Sequence, residues 1–464
     1  MSFSSVEFIF MFLPIVLLLY ICTPFKYKNV VLLISSLFFY AWGNVYHVCI
    51  LFLLILLNFI CAMYIEKEEG AIRKRRLLEA IILNVAVLVY FKYYGFVLET
   101  VFAWIPQPPS YTLFEIPLGI SFFTFSALAY LIDVYHNVVK AERNVITFAL
   151  FISFFPKLIM GPIERFDIMK KQIEHHPLKV ELFEQGCITF MFGLAQKLIL
   201  ANTMGSIWTM CYSSETLSMS AAWLGVLAFT FQIYFDFQGY TQMAIGLGKM
   251  FGFHLSQNFN YPYIATSVTD FWRRWHITLS SWFKDYIYIP LGGNRTFFEK
   301  VLRNLMVVWL LTGIWHGANW TFILWGLYYG IVLIIEKYIL DEKLEKLPTF
   351  LRWIMTMLVV MVGWIFFASN TIGEAFGYIG NLLMVRGNGF VDTNTITILS
   401  ENFLYFVVAG IACTPLLNKV YVQMKLLLKE QMWYMKPILT ACFFMILLAF
   451  LISNTYQAFL YFKF

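Results

Sequence analysis

The stretch VYHVCILFLLILLNFICAMYI, residues 45–65, contains no Asp, Glu, Lys or Arg and only one histidine and one asparagine. Wound as an α-helix it is about 31 Å long, the thickness of a bilayer's hydrocarbon core. Inside lipid a helix satisfies its backbone N–H and C=O groups within the segment, which an open strand does not do. The stretch therefore predicts a membrane-spanning helix, and similar runs recur along the 464 residues, near 6–22, 29–43, 45–65, 79–103, 117–136, 145–161, 187–203, 219–235, 300–316, 320–338, 351–369, 400–418 and 434–452. Several are short or interrupted by Gly and Pro. The expectation is an all-α polytopic membrane protein of about ten to twelve transmembrane helices, with the remaining pieces re-entrant or interfacial.

Composition agrees. Hydrophobic residues make up 60% of the chain and charged residues 13%, against roughly 25% in soluble domains. The formal charge of +6 is concentrated in short loops, at Lys26 and Lys28 and again at Arg73, Lys74, Arg75 and Arg76. If the segments 29–43 and 45–65 both cross, these clusters share the cytoplasmic side and the N-terminus lies outside. Such a juxtamembrane cluster needs no nucleic-acid partner. The first segment reads as a retained span, because Met1–Phe8 has no Lys or Arg and nothing after Cys22 resembles a small-residue cleavage site. The seven cysteines show no metal or redox spacing and read as small core residues. His175 and His176 follow a charged run and read as a solvated loop, and His47, His136 and His254 lack partners in the sequence. No metal site is expected. Neither a 20–50-residue repeat nor a pair of matching broken helices is visible, so residues 1–464 read as one integral-membrane domain.

Two regions depart from simple spans. In residues 258–295 charges interleave with aromatics. There Thr269 or Asp270 is expected to cap a helix continuing through Phe283, with Trp272, Trp275 or His276, and Leu279 on one face. Charges as dense as Arg273, Arg274, Lys284, Asp285 and Arg295 must face water, one another or an anionic ligand. The second region is GIWHGANW, residues 313–320, which sets His316 among tryptophans inside an apolar run. An unpartnered imidazole at membrane depth would cost several kcal/mol. It is either a core histidine satisfied by a carbonyl or a functional group.

The run DFWRRWHITLSSWFKDYIYIPLGGNR (270–295), followed by TGIWHGANWTFILWG (312–326) with its histidine 40 positions after His276, closely resembles the membrane-bound O-acyltransferase superfamily, in particular its bacterial alginate O-acetyltransferase branch. Supporting stretches are PLGISFFTFSALAYLIDVY from Pro117, KLIMGPIERF from Lys157, GLAQKLILAN from Gly193 and YFDFQGYTQMAIGLG from Tyr234. The match is dense over 115–330. Family members often carry a further Asp where this chain has Gln242, so no carboxylate role passes to that position; Asp236 remains available.

The resemblance implies an O-acyltransferase, with His316 and His276 as catalytic candidates. Transfer of an acetyl group from a thioester to a hydroxyl needs a base within hydrogen-bond reach. Burial between Trp315 and Trp320 would keep His316 neutral and able to accept a proton. Gly313 and Gly317 would allow close approach, and Asn319 could orient the ring or donate to a developing oxyanion. Arg273, Arg274, Lys284 and Lys157 are expected partners for phosphates of a donor such as acetyl-CoA, a substrate and not a bound cofactor. The ending AFLYFKF is similar to an aromatic tail on some surface-polymer acylation proteins. That likeness makes Tyr461, in a tail spanning 455–464, a candidate acyl relay; the alternative is an interfacial anchor.

The function so implied is passage of acetyl groups from a cytoplasmic thioester, such as acetyl-CoA or another acyl donor, across the cytoplasmic (inner) membrane for O-acetylation of an alginate-like or other cell-surface polysaccharide. The implied partners are an extracytoplasmic SGNH, esterase-like protein with a serine nucleophile, the polysaccharide acceptor and the lipid bilayer, with no nucleic acid. This chain has no G-x-S-x-G elbow of its own. Alternatives are D-alanyl transfer to teichoic acid, acylation of a lipid and, in another class, an anionic solute transporter using the same arginines.

Overall fold

The computed structural model describes residues 1–105, 115–214, 217–385, 389–427, 432–453 and 459–460, and every regular element among them is helical. In chain order the α-helices are α1 (Leu13–Cys22), α2 (Phe25–Ala41), α3 (Val45–Lys67), α4 (Gly70–Phe102), α5 (Ile120–Tyr135), α6 (Val145–Ser153), α7 (Phe155–Leu158), α8 (Phe166–Glu174), α9 (Val180–Ala195), α10 (Asn202–Tyr212) and α11 (Met219–Met250). They continue as α12 (Val268–Arg274), α13 (Ile277–Phe283), α14 (Phe298–His316), α15 (Trp320–Ile335), α16 (Asp341–Glu345), α17 (Thr349–Ala368), α18 (Ile372–Leu382), α19 (Thr393–Ala412), α20 (Leu416–Leu427) and α21 (Met432–Ser453).

Among the described residues eight helices are long and apolar enough to cross a bilayer, and Phe8–Cys22 and Ile120–Tyr135 are shorter apolar helices. The protein is an all-α, multi-pass integral membrane protein. The opening stretch is α3, started by Asn44, whose side chain accepts from the Tyr46 N–H. Three further expected spans, 29–43, 145–161 and 300–316, are not among the eight: the first and last form α2 and α14, and the 145–161 run stops at Ser153 and restarts at Phe155. Pro156 lacks an N–H and its ring would collide with the carbonyl one turn back, so it is tolerated only in the first turn of a new helix. The 400–418 run is displaced to Thr393–Ala412, because the Asp392 carboxylate caps it by accepting from the Thr395 N–H.

The chain forms two compact units, Met1–Phe190 with Tyr240–Gln257, and Met191–Gly239 with Asn258–Phe464. In the first, α2 starts and α3 ends at the same side, which puts Lys26 and Lys28 level with the α3–α4 turn and Arg73–Arg76, as the charge pattern predicts. Asn58 and Asn84 exchange side-chain hydrogen bonds of 3.0 and 2.8 Å between α3 and α4, so two buried amides satisfy each other in an apolar layer. Lys157 is buried, with Nζ 4.6 Å from the Phe151 ring. Its charge is offset by Glu164, which accepts from the Ser256 N–H and hydroxyl. Lys157 is therefore a structural cation and not a donor-phosphate contact. The solvated-loop expectation fails at His176. Its ring is buried against Phe25 and Phe253, with centroids 5.1 and 4.7 Å away, and burial pushes its pKa down to about 4.

The second unit is organised by α14 and α15, which run antiparallel in close contact. A Cβ on Gly313 would fall 2.4 Å from the Phe322 carbonyl oxygen, and one on Gly326 would fall 2.4 Å from that of Trp309. These glycines let two helix backbones touch. The start of α14, the end of α15 and the start of α17 form one basic end, carrying Arg295, Lys300, Arg303, Lys337, Lys343, Lys346 and Arg352. His316 closes α14 at the opposite end, about 20 Å along the helix from Arg303.

Candidate active site

The expected helix from residue 270 to 283 is two helices, α12 and α13, broken at Trp275–His276. The cap is Ser267, whose hydroxyl accepts from the Asp270 N–H at 3.0 Å, and not Thr269 or Asp270. Buried Glu336 completes this terminus by accepting from the N–H groups of Val268 (2.6 Å) and Thr269 (2.8 Å) and from the Thr269 hydroxyl (2.5 Å). A carboxylate on helix N–H donors is favoured by charge and by hydrogen bonding. The chain then turns through His276, which takes a left-handed φ of 46°. Asn258 holds that turn. Its Oδ1 accepts from the Thr278 N–H (3.2 Å) and hydroxyl (3.0 Å), so the same oxygen accepts from His276 Nδ1 at 3.1 Å. The proton of the neutral ring then sits on Nδ1, and Nε2 is the basic nitrogen. Burial pushes the His276 pKa down to about 3.

His316, the last residue of α14, is buried. Trp315 lies 4.8 Å away, centroid to centroid, and Trp320 is half exposed. The other walls are Trp325 and Phe367, both edge-on, at 4.9 and 5.1 Å. Trp315 also approaches His276, at 6.0 Å, so one indole links the two histidines. A Cβ on Gly317 would strike the Phe322 ring at 2.3 Å, so that glycine serves packing.

His316 borders two cavities. The larger, about 950 Å³, runs along one face of α14 past Leu305, Val308, Trp309 and Thr312 to the imidazole, roughly 16 Å of helix. His276 lines it as well, and Arg273, Lys284, Lys337 and Arg352 edge it together with Asp341 and Glu345. Arg273 is exposed and makes no hydrogen bond or ion pair among the described residues. The smaller cavity, about 20 Å³, is lined by Ile233, Asp236, Phe237, Trp275, His316, Trp325, Trp364, Phe367 and Leu460. Asp236 is buried and pairs with Lys197 at 2.6 Å.

The structure thus brings together His316, His276, Trp315, Arg273, Lys284 and Asp236. Arg274 is turned away from the large cavity, held by Asp270 (2.9 and 3.0 Å) and the Asn260 carbonyl (3.3 Å). Asn319 is occupied at both ends. It caps α15 by accepting from the Thr321 N–H (3.0 Å) and donates to the Asn370 carbonyl (2.8 Å). Tyr461 lies outside the described residues. Residues missed in sequence are Glu336, signalled by a carboxylate inside the run GIVLIIEKYIL, Asn258, and the walls Trp325, Trp364 and Phe367. Only Glu336 carried a cue, since a lone acid within an apolar run needs partners.

The bundle is a multi-pass membrane protein with a buried histidine lining two cavities, and the sequence pattern of the membrane-bound O-acyltransferase family, MBOAT, matches residues 138–380. The chain belongs to that family and is an O-acyltransferase of its alginate O-acetylase-like branch. It is 41% identical to the "Probable alginate O-acetylase AlgI" of Azotobacter vinelandii over 81% of this chain and 77% of that protein. It is 34% identical to the "Peptidoglycan O-acetyltransferase" of Helicobacter pylori over 98% of this chain and 89% of that one. Similarity to the "Teichoic acid D-alanyltransferase" of Streptococcus thermophilus is 32% over 49% of this chain and 58% of that protein.

Proposed function

We propose that this acyltransferase takes an acetyl group from a cytoplasmic thioester of the acetyl-CoA kind and delivers it for O-acetylation of an extracytoplasmic polysaccharide, with His316 as general base. The observation that carries this reading is that one imidazole borders both the large cavity with the cationic edge and the small aromatic one. In the step proposed, the acceptor hydroxyl oxygen attacks the thioester carbonyl while His316 takes the hydroxyl proton. A C–O bond forms, the C–S bond breaks, and the proton passes to the departing thiolate, leaving a free thiol and a neutral imidazole. A positioned base contributes about 10²- to 10⁴-fold. The aromatic walls favour transfer over hydrolysis by excluding water.

Arg273, Lys284, Lys337 and Arg352 suit the donor's phosphates, because guanidinium and ammonium groups complement phosphate oxygens. We assign His276 a supporting part on the donor arm, with Nε2 accepting from an amide N–H. The positive-inside tendency favours the cytoplasm for the basic end of α14, α15 and α17, and a cytoplasmic thioester donor fits the cytoplasmic membrane. Two polysaccharide O-acetylating relatives that align with about four-fifths or more of the chain support a glycan acceptor over D-alanyl transfer, whose relative aligns with about half. Tyr461 would carry the acetyl group onward to an esterase-like partner outside the membrane.

The test compares mass spectra of envelope glycans from cells bearing the wild-type chain, the His316→Ala variant and no chain. Glycan acetylation that depends on the wild type and vanishes with His316→Ala supports the reading; undiminished acetylation in the variant overturns it. Tyr461→Phe keeps the aromatic anchor and removes the phenol oxygen, so full activity there rejects the relay alone.

A further inference from the structure

Asp236 stands in the middle of α11 with both carboxylate oxygens engaged. Oδ1 accepts from Lys197 Nζ at 2.6 Å, and Oδ2 accepts from the backbone N–H of Leu460 at 2.5 Å, 224 residues further along the chain. Lys197, on the π-helical stretch Gln196–Ala201, is also buried, and its Nζ lies 4.5 Å over the ring of Phe459. Two features keep this pair in place. A Cβ on Gly239 would fall 2.8 Å from the Gly193 carbonyl oxygen and 3.2 Å from Lys197 N, so α11 presses directly on the backbone that carries the lysine. A charged carboxylate also accepts a backbone N–H more strongly than a neutral oxygen does.

A buried ion pair is poor evidence for stability, because desolvation offsets its attraction and apolar replacements are often neutral or better. What this pair adds is an acceptor and a cation, one for the amide of Leu460 and one for the ring of Phe459. An N–H in apolar surroundings needs such an acceptor. Leu460 in turn lines the small cavity beside His316, together with Trp364 and Phe367.

We propose that the Lys197–Asp236 pair is a clasp for the 459–460 segment. When clasped, Leu460 lines the small cavity next to His316 and closes it. Asp236 and Lys197 are then positioning residues and take no part in the proton transfer. The activity arm of the test rests on the acyl-transfer reading, whereas the exchange arm does not.

The experiment uses the full-length protein in detergent or nanodiscs. The double variant Lys197→Met/Asp236→Leu removes both charges at once, so that no lone buried ion is left to unfold the bundle. The clasp predicts amide hydrogen exchange at 459–460 at least about tenfold faster than in the wild type. It also predicts acetyl transfer reduced by about tenfold or more, the scale of a misplaced reacting group. Deleting residues 459–464 removes Tyr461 as well and should cause at least that loss, and combining the deletion with the double variant should cause no further loss. Leu460→Pro removes the amide donor while leaving the pair intact, and it should reproduce the loss. His316→Ala should abolish transfer and leave the amides protected, so failure of the catalytic reading shows separately. Protected amides in the double variant, or a further loss of activity on adding it to the deletion, overturn the clasp.

Discussion

The cavity of about 950 Å³ beside His316 is edged by Arg273, Lys284, Lys337 and Arg352 together with the carboxylates of Glu336, Asp341 and Glu345, whereas the one of about 20 Å³ is walled chiefly by Phe237, Trp275, Trp325, Trp364 and Phe367, with Asp236 its one carboxylate. The first has the size and charge for a large anionic ligand. The second has room for about one water-sized group. Size and polarity thus differ between two cavities that share one imidazole. On the proposed reading the larger takes the donor's bulk and charge and the smaller sets the identity of the group transferred.

Removing the group shared by both cavities has the largest expected effect. His316→Ala should lower acetyl transfer by about 10²- to 10⁴-fold with unchanged thermal unfolding; activity within about threefold of wild type would leave the cavities without a common purpose. Next comes the cationic edge. Arg273→Ala with Lys284→Ala should raise KM for acetyl-CoA about tenfold or more with little change in kcat, since a charge-assisted contact contributes about 1.5–3 kcal/mol. Steady-state kinetics with purified protein decide it, and a fall in kcat at constant KM would break the assignment of that cavity to the donor. The aromatic pocket is sharpened by Phe367→Leu. One methylene is worth about 10- to 200-fold in a tight pocket, so the variant should narrow the preference for acetyl over propionyl thioester by about tenfold. An unchanged ratio would show that the pocket does not measure the acyl chain.

The contrast between the cavities also marks how much the sequence reveals. Apolar runs are legible because lipid admits so few backbone solutions, and α3, α15, α17 and α21 fall within a few residues of their expected places. Motif residues such as His316 and Arg273 are legible as candidates, and both line the large cavity. The split at Trp275–His276 is not, because the turn is held by Asn258 from 18 positions away, and the start of α12 is completed by Glu336 from 68 positions away. The same holds for Asn319, whose polar side chain between two tryptophans suggests chemistry and in fact caps a helix. Pocket walls such as Trp364 and Phe367 carry no local signal; an aromatic in a span looks alike whether it faces lipid or a buried imidazole.

His276 offers the smallest effect and the sharpest sign. Its pKa falls from 6.5 to about 3 on folding because burial disfavours the imidazolium. Below pH 6.5 the unfolded chain therefore binds a proton that the folded chain refuses, so this residue's contribution to stability is full above pH 6.5 and declines as the pH drops toward 3. The slope is about 1.4 kcal/mol per pH unit. His176, pushed down to about 4 by the same cause, adds a similar slope to both proteins in any comparison. In His276→Gln, thermal unfolding followed between pH 7 and 5 should thus keep the His176 dependence and lose the other, the two curves converging as the pH falls. Curves that stay parallel would mean that His276 takes up its proton in the folded protein. The turn at 275–276 would then tolerate a cation, and the large cavity would have a fifth positive charge within reach of the donor.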